Sequence, residues 1–259
     1  MSDHISFNQA DGVLEILFSR PEKKNALTNS MYRAAREALE RAQQDKSIRV
    51  ALFGAEGDVF TSGNDLGDFT DIAQGKGGEL EAQAFVEALG KAVKPIVAAV
   101  PGMAVGVGTT MLLHCDLVYV ADTARLSVPF VDLALVPEAG SSLLLPARIG
   151  HVRAFAMFAL GESISGAEAV ALGIANKALP QKEVLAAARN ATRLLAKRPA
   201  RSVLATKQLM RDAQAVMAQM HQEAVLFSAQ LKSDEAREAF SAFAEKRQPD
   251  FSRFSDQDR

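Results

Sequence analysis

The chain reads as an α/β protein whose mixed core gives way to helices alone toward the C-terminus. Short apolar, β-branched runs alternate with segments whose apolar residues recur at three- and four-residue steps, the pattern of parallel strands joined by helices. Beyond Ala200 only the helical period remains. With 259 residues and 48% apolar content, the chain can bury one large core, or a core and a smaller appendage.

Val13-Leu14-Glu15-Ile16-Leu17-Phe18, after the turn pair Asp11-Gly12, is the first expected strand. A charged loop follows, and Thr28 or Asn29 can cap a helix carrying Met31, Ala35, Ala38, Leu39 and Ala42 on one face. Val50-Ala51-Leu52-Phe53 predicts a buried strand ending at Gly54. A polar, glycine-bearing stretch over 71–78 leads to a helix ending near Lys91. Ile96-Val97-Ala98-Ala99-Val100 is a strand stopped by Pro101-Gly102, the span 107–114 a short buried helix, and Leu117-Val118-Tyr119-Val120 another strand. From about Ala154 the pattern is helical, over 154–160, 166–172, 182–196, 200–210 and 213–230. The division expected is a core over 1–195 and a helical region over 196–259.

Composition narrows the partners. A net charge of −2 carries no basic excess that would attract nucleic acid. No apolar run reaches the ~18 residues of a membrane span. The single cysteine, Cys115, fits a reducing compartment, and Met1-Ser2-Asp3-His4 opens without a basic region and apolar run, so the cytoplasm is the expected location. The four histidines lack metal-ligand spacing, and no metal is expected. Adjacent residues do not face one another, so His114-Cys115-Asp116 is a helix end and core packing rather than a nucleophile and its base.

Two segments share one grammar. Phe60-Thr61-Ser62-Gly63-Asn64-Asp65-Leu66 and Gly102-Met103-Ala104-Val105-Gly106-Val107-Gly108 each run from a strand through a small-residue turn toward a helical pattern. N–H groups just after such turns lack helical partners, and two of them together would suit an oxyanion. The plainer alternatives are a capped turn and a close-packed glycine loop. The second segment is no dinucleotide fingerprint, because Met111 stands where the third glycine belongs. Glu138, after Pro137, is either an ordinary first-turn residue of a helix or a carboxylate near a greasy site, where desolvation would raise its pKa toward that of a general base.

In order and spacing, these pieces together resemble the enoyl-CoA hydratase/isomerase (crotonase) superfamily over nearly the whole chain. The likeness includes Arg20-Pro21, Asn25-Ala26-Leu27, the two glycine segments, Lys94-Pro95, Cys115-Asp116, Pro137-Glu138-Ala139-Gly140, and Ser233-Asp234-Glu235 through Glu245-Lys246-Arg247. The resemblance implies a crotonase-like spiral of ββα repeats with a helical C-terminal trimerisation region, assembled as a homotrimer or a dimer of trimers. The implied substrate is an acyl-CoA thioester, so coenzyme A belongs to the substrate and no separate cofactor is expected. By the same likeness, the backbone N–H groups of Asn64 and Val107 hold the thioester oxygen. Ser62, Gly63, Asp65, Leu66, Gly106 and Phe130 line the acyl site, Lys23, Lys24 and Ala26 lie near the nucleotide, and Lys246 near its phosphates.

The catalytic carboxylates depart from the two-glutamate hydratases, which resemble this chain but carry glutamate where Thr110 and Phe130 stand here. Glu138 falls instead where the peroxisomal-type enoyl-CoA isomerases keep a single base. The implied reaction moves the double bond of a 3-enoyl-CoA to the 2-trans position. Alternatives are another crotonase-type reaction, such as weak hydration or thioester hydrolysis with Glu138 or Asp132 as acid–base group, and a non-catalytic acyl-CoA-binding subunit.

Overall fold

In the computed structural model of the chain, residues 4–65, 67 and 81–254 are described. The polar stretch over 71–78 and Leu66 lie outside them. The first hairpin pairs β1 (Ile5–Ala10) antiparallel with β2 (Val13–Phe18), Ala10 opposite Val13 across Asp11-Gly12. From β2 the sheet grows by parallel pairing through β3 (Val50–Ala55), β5 (Ile96–Val100), β7 (Leu117–Ala121) and β10 (Lys177–Leu179). β3 and β5 are buried on both faces, which is why they read as unbroken apolar runs. β1 escapes such a reading because only Ile5 is buried and its polar residues face solvent at the sheet edge.

A second, smaller sheet explains the spiral. β4 (Val59–Thr61), β6 (Met103–Val105) and β8 (Arg125–Ser127) pair parallel, and β9 (Ile164–Ser165) closes the order antiparallel to β8. Consecutive strands therefore alternate between sheets: β3 then β4, β5 then β6, β7 then β8. Two of these pairs are followed by helices, α2 (Glu81–Lys91) after β4 and α3 (Val107–Thr110) after β6. The short strands and β10 were not legible in the sequence, since two or three residues carry no period. β9 and β10 also correct the expectation that everything past Ala154 is helical.

The core between sheet and helices is aromatic at its centre. Phe18 meets Phe60 at 5.4 Å between ring centroids, Phe53 meets Phe85 at 5.9 Å, and Tyr32 of α1 (Asn29–Gln44) meets Phe85 at 5.7 Å. Thr28 caps α1, its hydroxyl accepting the Met31 N–H at 3.3 Å. The buried helix expected over 107–114 divides into α3 and a tighter 3-10 turn, Met111–His114. Next come α4 (Ser141–Ile149), α5 (His151–Ala159), α6 (Gly166–Ala171) and α7 (Gln181–Ala196), whose Arg189 grips buried Glu15 of β2 through two bonds of 2.6 and 2.7 Å. The chain then continues through α8 (Ala200–Met210), α9 (Ala213–Gln230) and α10 (Asp234–Ala244). No helix among the described residues is long and apolar enough to cross a membrane.

Two glycines let β4 and β6 approach. A Cβ on Gly102 would lie 2.0 Å from the Asp58 carbonyl oxygen, and one on Gly108 would lie 2.4 Å from Thr61 Cγ2. Glycine is required there by space. Gly102→Ala forces backbone against backbone and is expected to cost at least about 2 kcal/mol. A fall of roughly 5 °C in melting temperature would register it; a variant melting with the parent would show that the strands part freely.

Candidate active site

The first turn is built on Asn25, wholly buried, whose side chain donates to the carbonyls of Glu56 and Val59 at 2.9 and 2.8 Å and accepts the Arg20 N–H at 2.7 Å. Arg20 reaches on to Asp65 Oδ2 at 2.6 Å. Buried Thr61 donates to Asn25 O at 2.7 Å and accepts the Gly63 N–H at 3.1 Å. Leu27 bridges to Asn64: its N–H donates to Gly63 O, and its carbonyl accepts from Asp65 N. This pairing consumes the groups on either side of Asn64 and turns the Asn64 N–H to the opposite side. The Tyr32 hydroxyl donates to Asn64 Oδ1, holding the residue from a third direction.

The second turn lies against the first, since a Cβ on Gly63 would already meet Val105 O at 3.3 Å. Gly106, at φ 55°, donates to Ser127 O at 2.9 Å and turns the chain into α3. Val107 is the first residue of that helix, so its N–H has no acceptor within it. One turn further along α3, Thr110 donates its hydroxyl to Glu138 Oε1 at 2.5 Å. The carboxyl of Glu138 therefore stands one helical turn from Val107.

Glu138 is not in the first turn of a helix, the simpler of the two expectations. Ala139 and Gly140 both take left-handed backbone, at φ 60° and 69°, and α4 begins only at Ser141. Burial pushes the Glu138 carboxyl up to about 7, and the charge of Glu223 adds to the rise against the Thr110 hydrogen bond. Tyr32 is raised well above its ordinary value, by burial first and then by Glu138, and stays a neutral donor. His114 and Cys115 are displaced away from reactivity by burial, to about 3 and about 12. Among the described residues, no group of three or more His, Cys, Asp or Glu is placed to hold a metal.

Asn64, Val107 and Glu138 line one cavity of about 860 Å³, together with Ala26, Ser62, Gly63, Asp65, Gly106 and Phe130. Phe130 packs on Phe158 with centroids 6.2 Å apart. Lys24 and Lys246 do not line this cavity. Both have left-handed backbone; Lys23, also expected near the nucleotide, lines it, and Arg247 lines it beside Lys246. Arg247 is held by both oxygens of Glu238, at 2.5 and 3.1 Å. Residues not singled out in the sequence complete the site: Tyr32, and Glu223 from α9. For Glu223 a signal existed. Val216, Met220, Glu223 and Phe227 fall on one helical stripe, and an acid on an apolar stripe marks a buried charge.

Comparison with known proteins agrees with this architecture. Residues 8–254 match the family model of enoyl-CoA hydratase/isomerase. Human enoyl-CoA delta isomerase 2 is 38% identical over 67% of this chain, although the match spans only 46% of that protein's length. The 2,3-dehydroadipyl-CoA hydratase of Escherichia coli K12 is 31% identical over 92% of this chain and 94% of its own. An enoyl-CoA hydratase/isomerase crystal structure from Pseudoalteromonas atlantica T6c superposes with a TM-score of 0.91 at 39% identity, covering 96% of this chain and 100% of the other. With its alternating two-sheet spiral and helical C-terminus, the chain belongs to the enoyl-CoA hydratase/isomerase (crotonase) family.

Proposed function

We propose that the protein is an enoyl-CoA isomerase, shifting the double bond of a 3-enoyl-CoA to the 2-trans position. The observation that carries the reading is the Thr110–Glu138 contact. At the place where the two-glutamate hydratases have a second acid, this chain has a hydroxyl that serves the one carboxyl beside the donor turns. An allylic shift requires only one base. Glu138 takes a proton from C2, and the electron pair left behind delocalises onto the thioester oxygen, which the Asn64 and Val107 N–H groups receive. The dienolate then collapses as the Glu138 carboxyl returns the proton to C4, placing the double bond between C2 and C3. Each well-aimed donor stabilises the developing charge by about 3 kcal/mol. Phe130 and Val107 wall the reacting carbons from water.

The helical end supports assembly into trimers. Leu209 and Met210 are 89% and 82% exposed, an apolar surface that other copies of the chain would cover. Light scattering is expected to give a multiple of three, and a monomer mass at micromolar concentration would exclude it.

Incubation with 3-hexenoyl-CoA is expected to yield the conjugated thioester, with little hydration of 2-hexenoyl-CoA. Hydration as the faster reaction would favour the hydratase alternative, and binding without turnover the non-catalytic one. Glu138→Gln is expected to lower kcat by roughly 10²- to 10⁴-fold; retention of full rate would remove Glu138 as the base.

The pH dependence follows from Glu138 with a definite sign. Since the working base is the carboxylate, kcat/KM should rise with pH through a limb near 7. Thr110→Val, which removes a bond to the charged form, should move that limb upward. Stability runs the other way. The folded chain keeps a proton that the unfolded chain has released above the ordinary value of 4.5, so stability falls from there to about 7. Glu138→Gln should melt level with the parent near the low end and above it beyond the limb, by up to roughly 3 kcal/mol. Parallel melting curves across the range would contradict the shifted carboxyl.

A further inference from the structure

Glu223 has no part in the proton transfer above, yet it is buried, only 4% exposed, within reach of that chemistry. A buried carboxylate persists only where its oxygens are satisfied. Oε2 accepts the Gly140 N–H at 2.5 Å, and Oε1 accepts the Ser142 N–H at 2.9 Å and the Ser142 hydroxyl at 2.5 Å. Gln219 donates to that hydroxyl at 2.8 Å, which fixes the direction of the Ser142 proton toward Glu223. Every contact is a donor, as an ionised carboxylate requires. These three bonds work against burial, which raises the Glu223 carboxyl above its ordinary value.

What these bonds hold is the turn behind Glu138. Alanine adopts a left-handed backbone only where its surroundings impose it, and Ala139 precedes a second left-handed residue, Gly140. On the other side His114 fixes the same turn. Arg211 donates to His114 Nδ1, so the imidazole proton sits on Nε2 and is given to Ala139 O at 2.6 Å. The turn is clamped from the core by His114 and from α9 by Glu223.

We infer that Glu223 is the positioning residue for Glu138: from α9 it clamps the left-handed Ala139-Gly140 turn, aims the Glu138 carboxyl into the cavity, and sets a second negative charge beside it. The other groups facing Glu138 do not supply that charge. Thr110 of α3 is a neutral donor, Tyr32 of α1 is neutral and bonded to Asn64, and His114 is neutral. On the cavity wall, Asp65 is paired with Arg20, Glu87 with Lys91, and Arg247 with Glu238 and Glu245, while Lys23 and the exposed Asp132 complete the charged lining.

The inference rests on Glu138 as the base, and the test separates the two. The Glu138 carboxyl is titrated by carbon-13 NMR in the ligand-free, full-length protein, its signal assigned by loss in Glu138→Gln. Turnover of 3-hexenoyl-CoA is measured on the same samples. In Glu223→Gln an amide group faces donors and the charge is gone. The expected results are a Glu138 midpoint lower by on the order of one pH unit, and a kcat lower by about 10²-fold with KM little changed. Glu223→Asp keeps the charge but falls one methylene short, so kcat should drop while the midpoint stays near the parent's; this variant also serves if Glu223→Gln does not fold. A parent midpoint and kcat in Glu223→Gln would overturn the inference and leave the isomerase reading standing. Loss of kcat with no movement of the midpoint would reduce Glu223 to a structural role and overturn it as well. A shifted midpoint in a protein that does not turn over 3-hexenoyl-CoA would uphold the link between the two glutamates and end the isomerase reading instead.

Discussion

The parallel contact between β4 and β6 is the constraint on which the site depends. Thr61 stands opposite Ala104 in that ladder, and each strand runs within a few residues into a donor turn, Gly63-Asn64 on one and Gly106-Val107 on the other. The two turns share a site only because their strands are neighbours, and the strands are neighbours only because Gly102 and Gly108 carry no side chain to hold them apart. A backbone N–H is a suitable group for such a position. It cannot titrate, and its direction is fixed by the strand and helix on either side of it. The side chains at positions 64 and 107 are therefore free to do other work: Asn64 accepts from Tyr32, and Val107 gives the cavity an apolar wall.

Glu138 belongs to a different balance. Removing a carboxyl from water disfavours its charge, and the neighbouring Glu223 disfavours it further, while Thr110 stabilises it. The outcome near 7 is a compromise among three effects supplied by three parts of the chain: the apolar lining, α9 and α3. A stronger donor than a threonine hydroxyl would return the group toward an ordinary carboxylate, too weak a base for a thioester α-proton. With no donor, the carboxyl would hold its proton at neutral pH. A second glutamate at position 110 would add charge at the same oxygen, so on the proposed reading the residue that stands in for a second acid also tunes the base.

Much of this was legible in the sequence, for reasons that can be located. β3 and β5 announce themselves because burial on both faces leaves only apolar residues, and α1 because its face repeats with the helical period. The two glycine segments are visible because Gly102 and Gly108 sit where a Cβ would collide, and Gly63 and Gly106 hold left-handed backbone. The small sheet is invisible because its strands are too short to carry a period, and β1 because an edge strand has no apolar requirement. Side-chain pairs such as Tyr32 with Asn64 and Glu223 with Ser142 join residues far apart in sequence, and only the folded chain brings them together. Lys24 and Lys246 show the remaining limit. A resemblance fixes a loop position, but a left-handed residue rotates the side chain out of line and leaves its neighbour facing the cavity.

The C-terminal helices are not an appendage to a finished site. Met220, Glu223 and Phe227 of α9, and Phe240 and Phe243 of α10, wall the same cavity as Asn64 and Val107, so a boundary at residue 195 divides the chain but not the site. Gly90 of α2 packs against the Met217 and Met220 side chains of α9, a Cβ there standing 2.9 Å from Met217 Sδ, so α9 seats at the depth these side chains allow. That depth in turn places Glu223 at the Gly140 and Ser142 N–H groups. The proposed base is thus correctly held only when the last helices are docked. A chain that has folded its sheets but not yet seated α9 would have both donor turns in place and an Ala139-Gly140 turn clamped on one side alone. On the proposed reading the spiral core supplies the oxyanion donors, while docking of the C-terminal helices completes the positioning of the carboxylate.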